Sequence, residues 1–113
     1  MYFPQKVSAC GDDYEYKIGN TLQYFTPGTW QTIEYRLIMN TPGVRNGTMQ
    51  AWVDGVMVLD IRNFLFRDTG ATFAIDMLYF SKFFGGGDQS WAPLTAQTAD
   101  FDELIVSEKP ITH

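Results

Sequence analysis

Cysteine is almost absent from this 113-residue chain, in which Cys10 stands alone. One cysteine excludes an intrachain disulfide framework and a cysteine-built zinc site. It leaves Cys10 as a small side chain of the interior or its margin. Histidine is as scarce, and His113 is the last residue. A frayed terminus holds a catalytic base poorly, which argues against a Ser–His or Cys–His nucleophile system. Basic residues are in deficit, eight Lys and Arg against thirteen Asp and Glu, for a net charge of −5. That balance argues against broad binding to nucleic acid or to an anionic membrane, while leaving room for a local basic patch. No apolar run approaches the roughly 20 residues that span a bilayer as a helix. The opening MYFPQKVSACGDD lacks the basic start and apolar stretch of a secretory signal. The expectation is a chain made without one, or one cut from a longer protein, and the compartment stays open.

What is abundant is apolar and aromatic. Hydrophobic residues make up 45% and aromatics 16%, with only 19% charged, so the chain should fold as a single domain over 1–113. Residues 32–39 (TIEYRLIM) alternate, with Ile33, Tyr35, Leu37 and Met39 on one face and Thr32, Glu34, Arg36 and Ile38 on the other. Residues 48–53 (TMQAWV) alternate again, Met49, Ala51 and Val53 opposite Gln50 and Trp52. Asp54-Gly55 then VMVLD follows, and Asp-Gly between two such runs predicts a hairpin, because both residues accept positive φ. Further strands are predicted at 61–67, at 73–84 (FAIDMLYFSKFF) and at 101–106, with an earlier pair at 13–18 and 21–25 split by Gly19-Asn20. Turn clusters at 26–28, 40–47, 68–70 and 85–93 punctuate them. Six to eight short strands in this rhythm predict an all-β, antiparallel sandwich or jelly roll.

Several groups are candidates for chemistry. Gly85-Gly86-Gly87-Asp88 lacks the GxxxxGK[ST] spacing of a phosphate loop, and reads as a tight loop after a strand. Trp91 beyond it is either a sugar-stacking platform or a loop plug. Asp100, Asp102 and Glu103 do not match a calcium-loop spacing and read as a solvated strand end. Neither a cofactor nor a metal is therefore expected. Arg36, Arg45, Arg62, Arg67 and Lys82 form the main cationic set after the first strands. Arg36 lies on a polar stripe, from which its fork would grip a carboxylate beside Gln50 and Trp52; a paired surface arginine is the plainer reading. Asn46-Gly47-Thr48 has the form of a glycosylation sequon and reads as a turn. Tyr14 and Tyr16 share a strand face, either as packing or as an acid/base pair.

The order of the motifs is specific. Gly28-Thr29-Trp30, IEYRLIMNTPG, NGTMQAWVDG, LFRDTG, YFSKFFGGGDQSWAP and ADFDELIVS resemble the polysaccharide lyase 14 family, with FFGGGD-x-x-WAP followed by DFD the sharpest part. The resemblance implies a β-jelly-roll with an acidic polysaccharide in a concave groove, and β-elimination at a uronic acid. A base removes the proton next to the carboxylate, an acid protonates the leaving oxygen, and a cation or hydrogen-bond donor neutralises the carboxylate. The family places a Lys and a Tyr-x-Tyr pair at this site. Here the lysine-bearing segment and the Arg-rich strand before the tyrosines have no counterpart. Met1-Tyr2-Phe3-Pro4 resembles the end of the tyrosine strand, which makes Tyr2 the first catalytic candidate, with Tyr14 and Tyr16 behind it. The chain is thus expected to be the C-terminal portion of such a jelly roll, its N-terminal strands missing.

Three functions follow. The chain is a lyase or lyase remnant acting on a uronate polysaccharide. Or it is a non-catalytic carbohydrate-binding module using Arg36, Gln50, Trp52, Lys82 and Trp91. Or it is a structural or attachment jelly roll, as on a virus particle, where a second copy or a partner chain completes the sheet.

Overall fold

The computed structural model describes residues 14–82 and 88–111. The chain divides into two compact units, Met1–Met77 and Leu78–His113. It is all-β and antiparallel. Within the first unit, β1 (Lys17–Ile18) pairs with β2 (Thr21–Leu22), and β3 (Ile33–Ile38), β4 (Gly47–Val53) and β5 (Val56–Phe64) form a three-stranded meander. Leu78–His113 carries a single short 3₁₀ turn, Gln89–Trp91, among its described residues.

The hairpin between β4 and β5 forms as its turn chemistry requires. Asp54 and Gly55 have φ of 48° and 78°, the pair of positive values that matches the strand twist. The Asp54 side chain also accepts from the Thr32 N–H (2.9 Å), which ties the turn to the approach of β3. Gly19, φ 62°, turns the chain between β1 and β2 with one positive φ rather than two.

Two bulges set which side chains face where. Ala51 lies opposite Leu59 but Trp52 opposite Met57, so Val58 is the extra residue. Gly47 lies opposite Phe64 but Thr48 opposite Arg62, so Asn63 is extra, with φ 57°. An extra residue re-aims all that follows it. Without the second bulge Phe64 would share the polar face of Asp60 and Arg62. With it, Phe64 joins the apolar face, where its ring meets Tyr14 (centroids 6.3 Å) and Phe66 (4.3 Å). The close approach explains Gly47, since a Cβ there would lie 2.6 Å from the Phe64 carbonyl oxygen.

The core is Ala51, Val58, Leu59 and Ile61, with Tyr14, Tyr16, Met49, Val53 and Phe64 packed against it. A second fixed point lies beyond the sheet. Asn40 is fully buried. Its Oδ1 accepts from the N–H groups of Phe66 (2.9 Å) and Arg67 (3.1 Å), and its Nδ2 donates to the carbonyls of Thr41 (2.8 Å) and Arg67 (2.9 Å). The Arg67 guanidinium returns a bond to the Asn40 carbonyl (2.8 Å) and reaches the Phe73 carbonyl (2.7 Å). One amide thus clasps the chain leaving β3 to the chain leaving β5.

The predicted strands differ from the observed ones in four places. β5 runs unbroken from 56 to 64, because the bulges absorb the changes of face; it takes in both VMVLD and the start of the predicted 61–67 strand but ends three residues short of Arg67. The early pair is shorter than 13–18 and 21–25, and Asp13 lies outside the described residues. Residues 73–82 and 101–106 are not strands; they join no ladder among the described residues, and an apolar run without a hydrogen-bonded neighbour is no strand. The count among the described residues is therefore five rather than six to eight.

Candidate functional site

A row of polar side chains crosses the meander. Arg36 on β3 lies opposite Gln50 on β4, which lies opposite Asp60 on β5. Directly opposed residues share a face, so the three project together. Arg36 Nη1 reaches Gln50 Oε1 (3.4 Å), Gln50 Nε2 donates to Asp60 Oδ1 (3.0 Å), and Arg62 grips both Asp60 oxygens, Nε to Oδ1 and Nη2 to Oδ2, each at 3.2 Å. The centre of the row is buried, with Gln50 6% and Asp60 5% exposed, while both guanidinium groups reach solvent.

The row has a direction. Burial by itself pushes the Asp60 carboxyl up; the Gln50 amide and the Arg62 guanidinium outweigh it and hold the group below its ordinary value. An ionised carboxylate only accepts, so Gln50 must turn its NH₂ toward Asp60. Its Oε1 then faces Arg36. Asp60 therefore orients Gln50, and Gln50 seats Arg36, whose guanidinium has donors to spare among the described residues. Trp52, half-buried and opposite Glu34, stands on the same face one pair along.

The tyrosines lie on the other face. The Tyr16 hydroxyl bonds to the Tyr35 hydroxyl, and Tyr35 lies opposite Ala51 on the core side. Tyr14 and Tyr16 pack on that core. Both line an open pocket of about 270 Å³ with Glu15, Leu22, Gln23 and Tyr24. Burial, and then the Tyr35 bond, push the Tyr16 phenol well above its ordinary value. That favours the protonated hydroxyl, and either member of the Tyr16–Tyr35 pair can be the donor.

The predicted site residues thus part into groups. Arg36, Gln50 and Trp52 are brought together. Tyr14 and Tyr16 are separated from them by the thickness of the sheet. Lys82 and Trp91 belong to the second unit. There the Lys82 Nζ meets the Ala99 carbonyl (3.4 Å), and Trp91, 61% exposed, ends the 3₁₀ turn. Asp88 caps that turn through the Ser90 N–H (2.8 Å) and hydroxyl, and these bonds lower its carboxyl. Tyr2 lies outside the described residues. Among the described residues no group of three or more His, Cys, Asp or Glu side chains is placed to hold a metal ion. Asn46 uses its side chain within its turn, Oδ1 accepting from the Thr41 N–H (2.8 Å) and Nδ2 donating to the Thr41 hydroxyl (3.0 Å).

Sequence reasoning missed Asp60, the anchor of the row. The signal was present: Asp60 and Arg62 are two apart and share the polar parity of β5. The split between VMVLD, which ends at Asp60, and IRNFLFR, which begins at Ile61, hides it.

The comparisons with known proteins bear on the whole chain. No curated protein matches it, and no solved structure does. The family model for polysaccharide lyase 14 matches residues 2–104. That match takes in the β-meander, the polar row and the GGGD-x-x-WAP segment, and by it the chain belongs to the polysaccharide lyase 14 family.

Proposed function

We propose that the chain binds an acidic, uronate-type polysaccharide on the polar face of the β3–β5 meander. The observation that carries this reading is the Arg36–Gln50–Asp60–Arg62 row, with its buried centre and solvent-facing guanidinium ends. A guanidinium already seated by a buried amide loses little freedom when it grips a carboxylate, and its fork matches the carboxylate oxygens in pairs. Trp52 offers an apolar ring face beside it, suited to the apolar face of a pyranose. The family membership supports the substrate class, and the lyase reaction gives the carboxylate grip a second purpose. Withdrawing charge from the carboxylate makes the adjacent C–H more acidic, which is the first requirement of β-elimination.

Cleavage also requires a base for that proton and an acid for the leaving oxygen. Tyr14 and Tyr16 face away from Arg36; the resemblance of Met1-Tyr2-Phe3-Pro4 to the end of the family's tyrosine strand makes Tyr2 the proton-transfer group we assign. A chain that binds without cleaving is the module reading of the same surface. Isothermal titration with polyuronate oligosaccharides tests the binding face. Arg36→Ala is expected to weaken affinity by about 1.5–3 kcal/mol, the value of a hydrogen bond to a charged group. Unchanged affinity removes Arg36 from the site. Ultraviolet absorbance of the unsaturated uronate product separates enzyme from module: a rise abolished by Tyr2→Phe means cleavage, and a flat trace with retained binding means a module.

A further inference from the structure

β3 ends the meander, and among the described residues no strand pairs with its outer edge. The direction of its backbone groups follows from its first turn of contact with β4. The Thr32 carbonyl accepts from the Asp54 N–H (2.8 Å) and the Thr32 N–H donates to the Asp54 side chain (2.9 Å), so Thr32 faces inward. Backbone groups alternate along a strand. Glu34, Arg36 and Ile38 therefore direct theirs at β4, and Ile33, Tyr35 and Leu37 direct their N–H and C=O groups outward. The side chains of these three are 43%, 58% and 45% exposed. An edge of this kind is a template for another strand.

The sequence of β3 says which strand. Two copies meeting edge to edge are related by a two-fold axis normal to the sheet, which keeps each side chain on its own face. Only registers centred on one residue satisfy this. Centring on Glu34 sets carboxylate against carboxylate, and centring on Arg36 sets guanidinium against guanidinium. Centring on Tyr35 sets Glu34 opposite the partner's Arg36, and Arg36 opposite the partner's Glu34. On the other face it sets Ile33 opposite the partner's Leu37, and Leu37 opposite the partner's Ile33. The same register pairs outward backbone groups with outward backbone groups. Tyr35 exchanges hydrogen bonds with the partner's Tyr35, and Ile33 with the partner's Leu37. The charged pairs then fall at the positions without backbone bonds, where opposed side chains lie closest.

We propose that β3 is a self-complementary dimer edge. Two copies of this chain pair antiparallel through β3 in the register centred on Tyr35, joining their meanders into one continuous sheet. The polar rows of the two copies then lie side by side on one face. Arg36 then lies between the partner's Glu34 and the carboxylate of the proposed ligand. The dimer stands whether or not the carbohydrate reading holds, because it rests on the edge alone.

Sedimentation velocity and light scattering of the intact chain over a wide concentration range test it. The expected result is a reversible rise from the 12.9 kDa chain toward twice that mass. Glu34→Arg and Arg36→Glu each set like charges opposite one another twice, and each is expected to weaken self-association about tenfold or more. The double reversal restores both pairs, and a mixture of the two single variants associates as a heterodimer. Leu37→Pro serves where a charge variant fails to fold. It removes an outward N–H while leaving the β3–β4 bonds and both charges in place, and it is expected to abolish pairing. A chain that stays monomeric at every concentration overturns the proposal. So does a folded double reversal that fails to restore association, or a Leu37→Pro chain that still dimerises.

Discussion

β5 and residues 73–82 are close in composition and opposite in outcome. VMVLDIRNF and FAIDMLYFSK are both rich in apolar residues and both carry charge in the middle. The first is a strand of nine residues with Val58, Leu59, Asp60 and Ile61 all buried. The second joins no ladder among the described residues, and Phe73, Ile75, Met77, Leu78, Tyr79 and Phe80 are all more than half exposed. The difference lies in what stands beside each. Asp54-Gly55 returns the chain at once onto β4, so every residue of β5 meets its partner across a short loop. Closing a short loop costs less entropy than closing a long one. Residues 73–82 also follow a turn, Asp68–Ala71 with Gly70 at φ 84°, but it sets them beside no strand among the described residues. Phe80 does find the ring of Phe101 (centroids 4.6 Å, edge to face), a side-chain contact with no backbone ladder under it. Apolar content supplies the drive to bury; a turn of the right type supplies the neighbour.

The largest expected effect tests the buried side of this contrast. Ile61 is fully buried on β5, opposite Met49. Ile61→Ala is expected to cost about 2–5 kcal/mol, through lost transfer energy and an unfilled cavity. Leu104→Ala, at a side chain 69% exposed, is expected to stay within about 0.5 kcal/mol. Urea denaturation of the two variants measures both, and equal losses would break the comparison.

The next effect concerns the clasp. Asn40→Ala leaves the Phe66 and Arg67 N–H groups without the amide oxygen that accepts from them, while the Thr41 and Arg67 carbonyls keep the N–H groups of Val44 (2.8 Å) and Gly43 (3.2 Å). The expected loss is about 1–3 kcal/mol for leaving these two N–H groups unpaired, less what water recovers. Hydrogen exchange sharpens the reading: the Phe66 and Arg67 amides should lose protection, while those of β4 and β5 keep theirs.

The smallest is a pH effect. The Asp60 carboxyl is held below its ordinary value by Gln50 and Arg62. Its contribution is complete above the unfolded pKa of about 3.9, and is lost as pH falls through the lower folded value. Asp60→Asn is expected to cost about 1 kcal/mol near neutrality and to flatten the acid limb of the stability curve. An unchanged acid limb would remove Asp60 as the ionised anchor of the row. The same variant frees the Gln50 amide to turn, so it should also weaken polyuronate binding through Arg36.

Much of the meander was legible in the sequence. The alternation in IEYRLIM and TMQAWV placed Arg36, Gln50 and Trp52 on one face, and Asp54-Gly55 named the turn. The family was legible too, in the spacing of motifs from Gly28 to Ser107. The bulges at Val58 and Asn63 were not. A bulge is a mismatch between two strands, and neither strand records it alone. Tyr14 and Tyr16 read first as packing and second as an acid/base pair; that Tyr16 bonds Tyr35, nineteen residues on, is a contact on the core side that the sequence does not record. Asn40 and Arg67 looked like ordinary turn and surface residues, because a clasp exists only once two loop ends are side by side.

By itself, then, the sequence determined the class of the fold, the hairpin and the polarity of each strand face, since these depend on side-chain alternation and on φ preferences that every residue carries with it. Only the tertiary structure decided that Asp60 anchors Gln50, that Gln50 seats Arg36, and that the tyrosines turn away from them. Those are relations between strands, set by register, and register is a property of the pair.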